Sequence, residues 1–201
     1  ATIAEEDGFE KFKGKISILL AGSGLIEAST YHLTNKELQC GKMNAEMPLI
    51  ELANSISSDY NVLRAWVLPS LMEVLGNNKH REYPQKIFTM GTIFKKSGEN
   101  DTNIAEKQRL AVAIASEKAD YTEIRQMIDY IFRSTGVNHE IAEAEHKSFI
   151  AGRVSRASVN GKKIAYLGEI NPRVLSNWGI EVPVAALELN LVELYDIIKK
   201  A

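Results

Sequence analysis

The sequence predicts an α+β fold built on a largely antiparallel sheet, and three features carry that reading. Asn160-Gly161 stands between two strand-like runs, Arg153 to Val159 and Lys162 to Ile170, and both turn positions need a positive φ that Asn and Gly tolerate, which makes a tight hairpin. Long alternation after Pro84 and the apolar run Leu110 to Ala115 signal further strands. Helical periods fall in groups between strands instead of alternating with them one for one, which disfavours a doubly wound parallel sheet.

From about Phe9 to Ala21, Phe12, Ile16, Leu19 and Leu20 recur at helical spacing, and Gly22 and Gly24 end this first helix. Between Leu25 and Leu33, Ile26, Ala28, Thr30 and His32 alternate with Glu27, Ser29, Tyr31 and Leu33, as in a strand with both faces partly covered. Thr34, with Glu37 three residues on, reads as a capping box for a short helix closed by Gly41. Leu49 to Ala53 is strand-like, and Pro69 occupies the first turn of a helix bearing Leu71, Met72, Val74 and Leu75. The strand after Pro84 runs through Ile87, Phe88, Met90, Ile93 and Phe94, and polar Lys96 to Glu106 reads as a flexible loop. After Leu110 to Ala115 comes the strongest helix. Asp120 is its cap, Glu123 holds the reciprocal position, and Tyr121, Ile124, Met127, Ile128, Ile131 and Phe132 share one face up to Gly136. Asn171-Pro172 opens a short helix that Gly179 closes, and a last strand, Val184 to Asn190, leads into a last helix, Leu191 to Lys200.

At 201 residues and 45% hydrophobic content the chain suits one sizeable core, so residues 1–201 are expected to form a single domain. A formal charge of -2 gives no overall electrostatic footprint for nucleic acid. The basic clusters Lys79-His80-Arg81, Lys95-Lys96, Lys162-Lys163 and Lys199-Lys200 read first as solvated faces. Cys40 is the only cysteine, which excludes an intrachain disulfide and suits a reducing compartment. No run approaches the roughly 18 apolar residues of a membrane span, and the acidic start, Ala1 to Glu10, lacks a signal-peptide pattern. A soluble, cytoplasmic protein is expected. His32, His80, His139 and His146 share no ligand spacing, so no metal site is expected. Gly22-Ser23-Gly24 follows a helix and has Glu27 where a dinucleotide loop needs its third glycine.

One segment carries a specific resemblance. The residues Asn54, Ser57, Ser58, Asp59, Tyr60, Val62, Leu63, Arg64, then Leu68, Pro69 and Leu71, then Asn78 through Glu82, Pro84 through Phe88 and Gly91 resemble the phenylalanyl-tRNA synthetase beta subunit of the archaeal and eukaryotic type, in its catalytic-like core. The similarity extends from about Lys15 through Gly168-Glu169-Ile170-Asn171-Pro172 to Leu194, and Asn54-Ser55 departs from the Asn-Pro usual in relatives. It implies the class II aminoacyl-tRNA synthetase-like antiparallel sheet flanked by helices, in agreement with the pattern reading. The short length implies an excised C-terminal fragment of a longer beta subunit, without its editing and N-terminal regions.

In class II enzymes a Phe-Arg pair and a following Glu hold ATP and the amino-acid carboxylate. The matching stretch here, Gly91 to Ser97, places Lys95 at the arginine and Ser97 at the glutamate. Lysine is a point charge and cannot reproduce a guanidinium fork. A second family motif, glycines leading to a phosphate-binding arginine, matches Ala186 to Leu194, with Glu188 and Asn190 at the glycines and Glu193 at the arginine. A carboxylate there would repel a triphosphate. The resemblance therefore implies no catalytic residue, no cofactor and no metal in this chain, ATP and Mg2+ being used by the holoenzyme. It implies a non-catalytic core that joins, within a heterotetramer, a catalytic alpha subunit which charges tRNA(Phe) with phenylalanine, and that self-associates through an exposed apolar patch when isolated.

Asp59, Tyr60, Arg64 and Trp66 are the candidate subunit-interface residues. Arg64 reads first as an internal ion pair with Asp59 or Glu73, and Trp66 either fills the vacated ligand pocket or anchors a partner. Two rival readings stand beside this one. A freestanding class II-like ligase would use Lys95 on phosphate, and a freestanding regulatory paralogue would bind an amino acid or a partner. A closed pocket behind Trp66 counts against the paralogue, and an open apolar pocket with convergent polar groups favours it.

Overall fold

In the computed structural model, which describes residues 3–55, 57–98 and 101–200, one large sheet organises the chain. Four short strands come first, β1 (Ile26–Glu27), β2 (Leu33–Thr34), β3 (Ile50–Glu51) and β4 (Val62–Leu63). Longer ones follow, β5 (Gln85–Lys96), β6 (Ile104–Ala115), β7 (Glu140–Glu143), β8 (Phe149–Val159), β9 (Lys162–Ile170) and β10 (Val184–Asn190). The large sheet has the order β1-β5-β6-β10-β9-β8-β7, with β1 parallel to β5 and the other neighbours antiparallel. A small antiparallel sheet, β2-β4-β3, stands apart from it.

Strand alternation sends successive side chains to opposite faces, and here the two faces build two cores. Leu110, Val112 and Ile114 of β6 enter the first, against α1 (Gly8–Gly22), α3 (Tyr121–Ser134) and α5 (Leu191–Lys200). Ala111, Ala113 and Ala115 enter the second, against α2 (Leu68–Asn77) and α4 (Pro172–Trp178). Ile124, Ile128, Ile131 and Phe132 of α3 are fully buried on the first face, each burial contributing about 1.5–3 kcal/mol of transfer free energy.

Local signals set the element ends. Asp7, Asp120 and Asn171 each accept a backbone N–H of the first turn, from Phe9, Glu123 and Arg173 at 2.8, 2.9 and 2.9 Å. The β8–β9 hairpin turns at Asn160 (φ 50°) and Gly161 (φ 74°), the positive-φ pair its sequence requires.

Several expectations are corrected. The strand expected from Leu25 to Leu33 splits, because β1 pairs with β5 only at Ile26 and Glu27 before the chain leaves for the small sheet, where Leu33 pairs with Leu63. The capping box at Thr34 is absent. Thr34 lies in β2, and Asn35 instead accepts the N–H of Leu38 at 2.9 Å ahead of a π-helical turn, Glu37–Gly41. Glu123 pairs with Lys86 Nζ at 2.6 Å instead of reaching back to its cap. The expected loop Lys96 to Glu106 shrinks to residues 97–103, since β5 and β6 pair from Gln85↔Ala115 to Lys96↔Ile104; residues 99 and 100 of it lie outside the described residues. Strand β7 had no sequence expectation.

Candidate functional site

On the second face of the sheet a cavity of about 430 Å³ opens between the start of α2 and strands β5, β6, β8, β9 and β10. Its polar floor comes from one cross-strand row. Glu188 of β10 pairs in register with Tyr166 of β9, and Tyr166 pairs with Arg156 of β8. The Arg156 guanidinium lies 3.7 Å from the Tyr166 ring centroid. Arg109 of β6 stands opposite Asn190 of β10, and Lys95 follows Ile93 by two residues on β5, so both also line the cavity.

Glu188 has a structural task at the start of α2. Its Oε2 accepts the backbone N–H groups of Val67 and Leu68, both at 2.9 Å, which satisfies donors that a helix start leaves unpaired. Burial pushes the Glu188 carboxyl above the ordinary range, opposed by the Arg109 charge and these N–H bonds. Burial lowers Lys95, and the neighbouring Arg109 charge lowers it further. Burial, then the Arg156 charge, also lowers His146, whose ring sits 5.5, 5.3 and 5.2 Å from those of Trp66, Phe149 and Tyr166. His146 Nδ1 accepts the Ser148 N–H at 3.2 Å, so in the neutral ring Nε2 carries the proton.

Trp66 does not fill this space. Its indole N–H donates to the Gln39 carbonyl at 3.0 Å, and Gln39 Oε1 accepts the Ala65 N–H at 3.0 Å, which holds the ring in the wall and leaves the cavity open. Arg64 corrects the expected ion pair with Asp59 or Glu73. It is 1% exposed and donates to neutral acceptors, through Nε to the Thr92 carbonyl at 2.7 Å and through Nη1 to Thr30 Oγ1 at 2.8 Å and the Tyr31 carbonyl at 3.3 Å. Asp59 and Glu73 are surface residues, and among the described residues neither is ion-paired with it. Gly91 lies under the guanidinium, where a Cβ would collide with it. Of the four interface candidates, Arg64 and Trp66 are therefore buried within the chain, while Asp59 and Tyr60 face solvent.

The five degenerate-motif positions separate in the same way. Lys95 and Glu188 meet in the cavity. Ser97 lies past the end of β5, where its N–H donates to the Asn103 carbonyl at 2.8 Å. Asn190 Oδ1 accepts the Glu193 N–H at 3.3 Å, capping α5, and the Glu193 carboxylate is ion-paired with Lys162. Arg109 and Arg156 had no sequence expectation. The Asn160-Gly161 hairpin held a signal for one of them, since its register sets Arg156 beside Tyr166. Cys40 is buried, and burial raises its thiol pKa, which suits a packed side chain over a nucleophile. Among the described residues no cluster of three or more His, Cys, Asp or Glu is arranged to hold a metal ion, and no helix is long and apolar enough to cross a membrane.

Residues 1–191 match the family profile of the phenylalanyl tRNA synthetase beta chain CLM domain. The phenylalanine-tRNA ligase beta subunit of Pyrococcus abyssi is 46% identical over 190 residues, 94% of this chain and 34% of that protein. The corresponding protein of Thermofilum pendens is 35% identical over 187 residues, 92% of this chain and 34% of its own length. The chain thus spans about a third of the length of the curated relatives it matches. Pyrrolysyl-tRNA synthetase from Desulfitobacterium hafniense superposes with a TM-score of 0.78 over 96% of this chain and 70% of that one, at 16% identity. The shared feature is the fold, a class II synthetase-like sheet flanked by helices.

Proposed function

The chain belongs to the phenylalanyl-tRNA synthetase beta-chain family, and from that premise we propose that it is the non-catalytic core of the beta subunit, assembling with a catalytic alpha subunit for ATP-dependent charging of tRNA(Phe) with phenylalanine. The observation that carries this reading is a synthetase scaffold in which the motif positions are spent on structure: Glu188 supports the start of α2, Asn190 caps α5 and Glu193 is paired with Lys162. On this reading Lys95 and Ser97 replace a catalytic Arg and Glu. Glu188 and Asn190 replace glycines, and Glu193, tied to Lys162, replaces the phosphate-binding Arg. ATP and Mg2+ then belong to the alpha subunit's chemistry, in a cytoplasmic heterotetramer.

A partner role draws support from the β1 end of the sheet. Ile18 on α1, Ile26 on β1 and Tyr31 before β2 are 75%, 70% and 80% exposed, and Leu33 and Tyr60 are exposed as well. Tyr31 and Tyr60 meet edge to face at 6.4 Å. Large apolar side chains on a sheet edge are costly to leave in water and mark an interaction surface. The open cavity beside Trp66 favours a ligand-binding role alongside the structural one, which is the element of the regulatory reading that the geometry supports.

Phenylalanine-dependent ATP–pyrophosphate exchange tests the proposal. The beta subunit alone is expected to show none, with exchange appearing only when the alpha subunit is added. Exchange by the beta subunit alone would overturn it and revive a ligase acting through Lys95.

A further inference from the structure

The cavity behind Trp66 offers donors almost exclusively. Lys95, Lys96, Arg109 and Arg156 bring four cations, and His146 adds a neutral N–H. The single carboxylate, Glu188, already spends Oε2 on two backbone N–H groups. Among the described residues none of the four cations is ion-paired, and the Nε atoms of Arg109 and Arg156 are buried without a hydrogen-bond partner. Buried donors are normally satisfied, so two orphaned guanidinium nitrogens beside one cavity are an unmet demand for an acceptor. The mutual repulsion of Lys95 and Arg109, which helps lower the lysine, is also relieved by an anion placed between them.

The walls define the rest of the ligand. Trp66 and Phe149 bring aromatic surface, Leu68 and Ile93 bring aliphatic surface, and Tyr166 lies stacked under Arg156. Such walls take a flat apolar body, and 430 Å³ has room for a two-ring compound. A zwitterion gains less, because its ammonium group would share the cavity with four cations.

We infer that this cavity is a binding site for a small organic anion with a flat aromatic body, a carboxylate or a phosphate monoester, held by Arg109 and Arg156 against the Trp66 wall. The site needs no reaction, and it does not depend on which subunit the β1 edge meets.

Calorimetric titration of the full-length protein, together with any subunit that co-purifies, tests the inference with 1-naphthoate, 1-naphthyl phosphate and the neutral 1-naphthalenemethanol. Saturable binding of at least one anion is expected, and none of the alcohol at matched concentration. Arg109→Gln and Arg156→Gln should each weaken the anion by roughly tenfold or more, as loss of a charge-assisted hydrogen bond does, while surface Lys79→Gln leaves it unchanged. Thermal midpoints show whether each variant is folded; where an arginine variant is not, Lys95→Gln replaces it. Preference between naphthoate and naphthyl phosphate identifies the head group, and either preference supports the site. No saturable binding of either anion, equal binding of the alcohol, or affinities untouched by substitution of the cavity cations would overturn it.

Discussion

The two faces of the large sheet solve opposite problems with the same strands. On the first face β6 presents Leu110, Val112 and Ile114, and helices α1, α3 and α5 close over them. On the second the same strand presents Ala111, Ala113 and Ala115, and a cavity opens beside them, lined by Arg109, Arg156, Lys95 and Glu188. Large aliphatic residues fill space themselves; small ones let α2 and α4 pack close, and beside that packed patch polar side chains line a cavity. One face therefore carries packing alone and the other carries packing beside a polar cavity, and each should respond differently to substitution.

The largest effect is expected on the packed face. Phe132→Ala removes a fully buried ring from α3 and should lower unfolding free energy by about 3–5 kcal/mol in urea titration, without changing what the cavity binds. On the open face, Glu188→Ala strands the N–H groups of Val67 and Leu68, at about 1–3 kcal/mol for each. Glu188→Gln keeps an acceptor and should recover most of that loss, so equal destabilisation by both variants would break the assignment of Glu188 as the support of α2. Ala111→Leu, which overfills the second face, should cost about 1–3 kcal/mol, whereas the same change at an exposed position costs little.

The smallest effects are in pH dependence. His146 is held below its ordinary value of 6.5 in the folded state, so the unfolded chain takes up a proton first as pH falls. Stability contributed by the neutral ring is present above pH 6.5 and declines as pH drops below it. The difference in urea midpoint between the parent and His146→Gln should therefore shrink on going from pH 7.5 to acid; a difference independent of pH would remove His146 from the buried set. Lys95 is held below the ordinary lysine value by burial and then by the Arg109, Lys107 and Arg156 charges, with Glu188 opposing them. Anion affinity should accordingly fall as pH rises through the alkaline range below that of an ordinary lysine, and Lys95→Gln should flatten the profile.

The strand that was split and the one that was lengthened show where local reading stops. From Leu25 to Leu33 the alternation is that of one strand, yet the edge of the sheet accepts only Ile26 and Glu27. Ile104 to Glu106 read as the end of a polar loop, yet β5 supplies a partner along the whole length and draws them into β6. In both cases the backbone follows the available hydrogen-bond partner. Arg64 makes the same point for a side chain. A buried guanidinium was expected to seek a carboxylate, and it found the carbonyls of Tyr31 and Thr92.

By itself the sequence determined the five α-helices, the caps at Asp120 and Asn171, the Asn160-Gly161 hairpin, the α+β class and the family, because those signals lie within a few residues of one another. Only the tertiary structure decided that Trp66 stands in a wall, that Glu193 turns to Lys162, and that Lys95, Arg109, Arg156 and Glu188 converge. Those residues are far apart in the chain and meet through the register of five strands, and a register is fixed by the whole sheet, beyond the reach of any short segment.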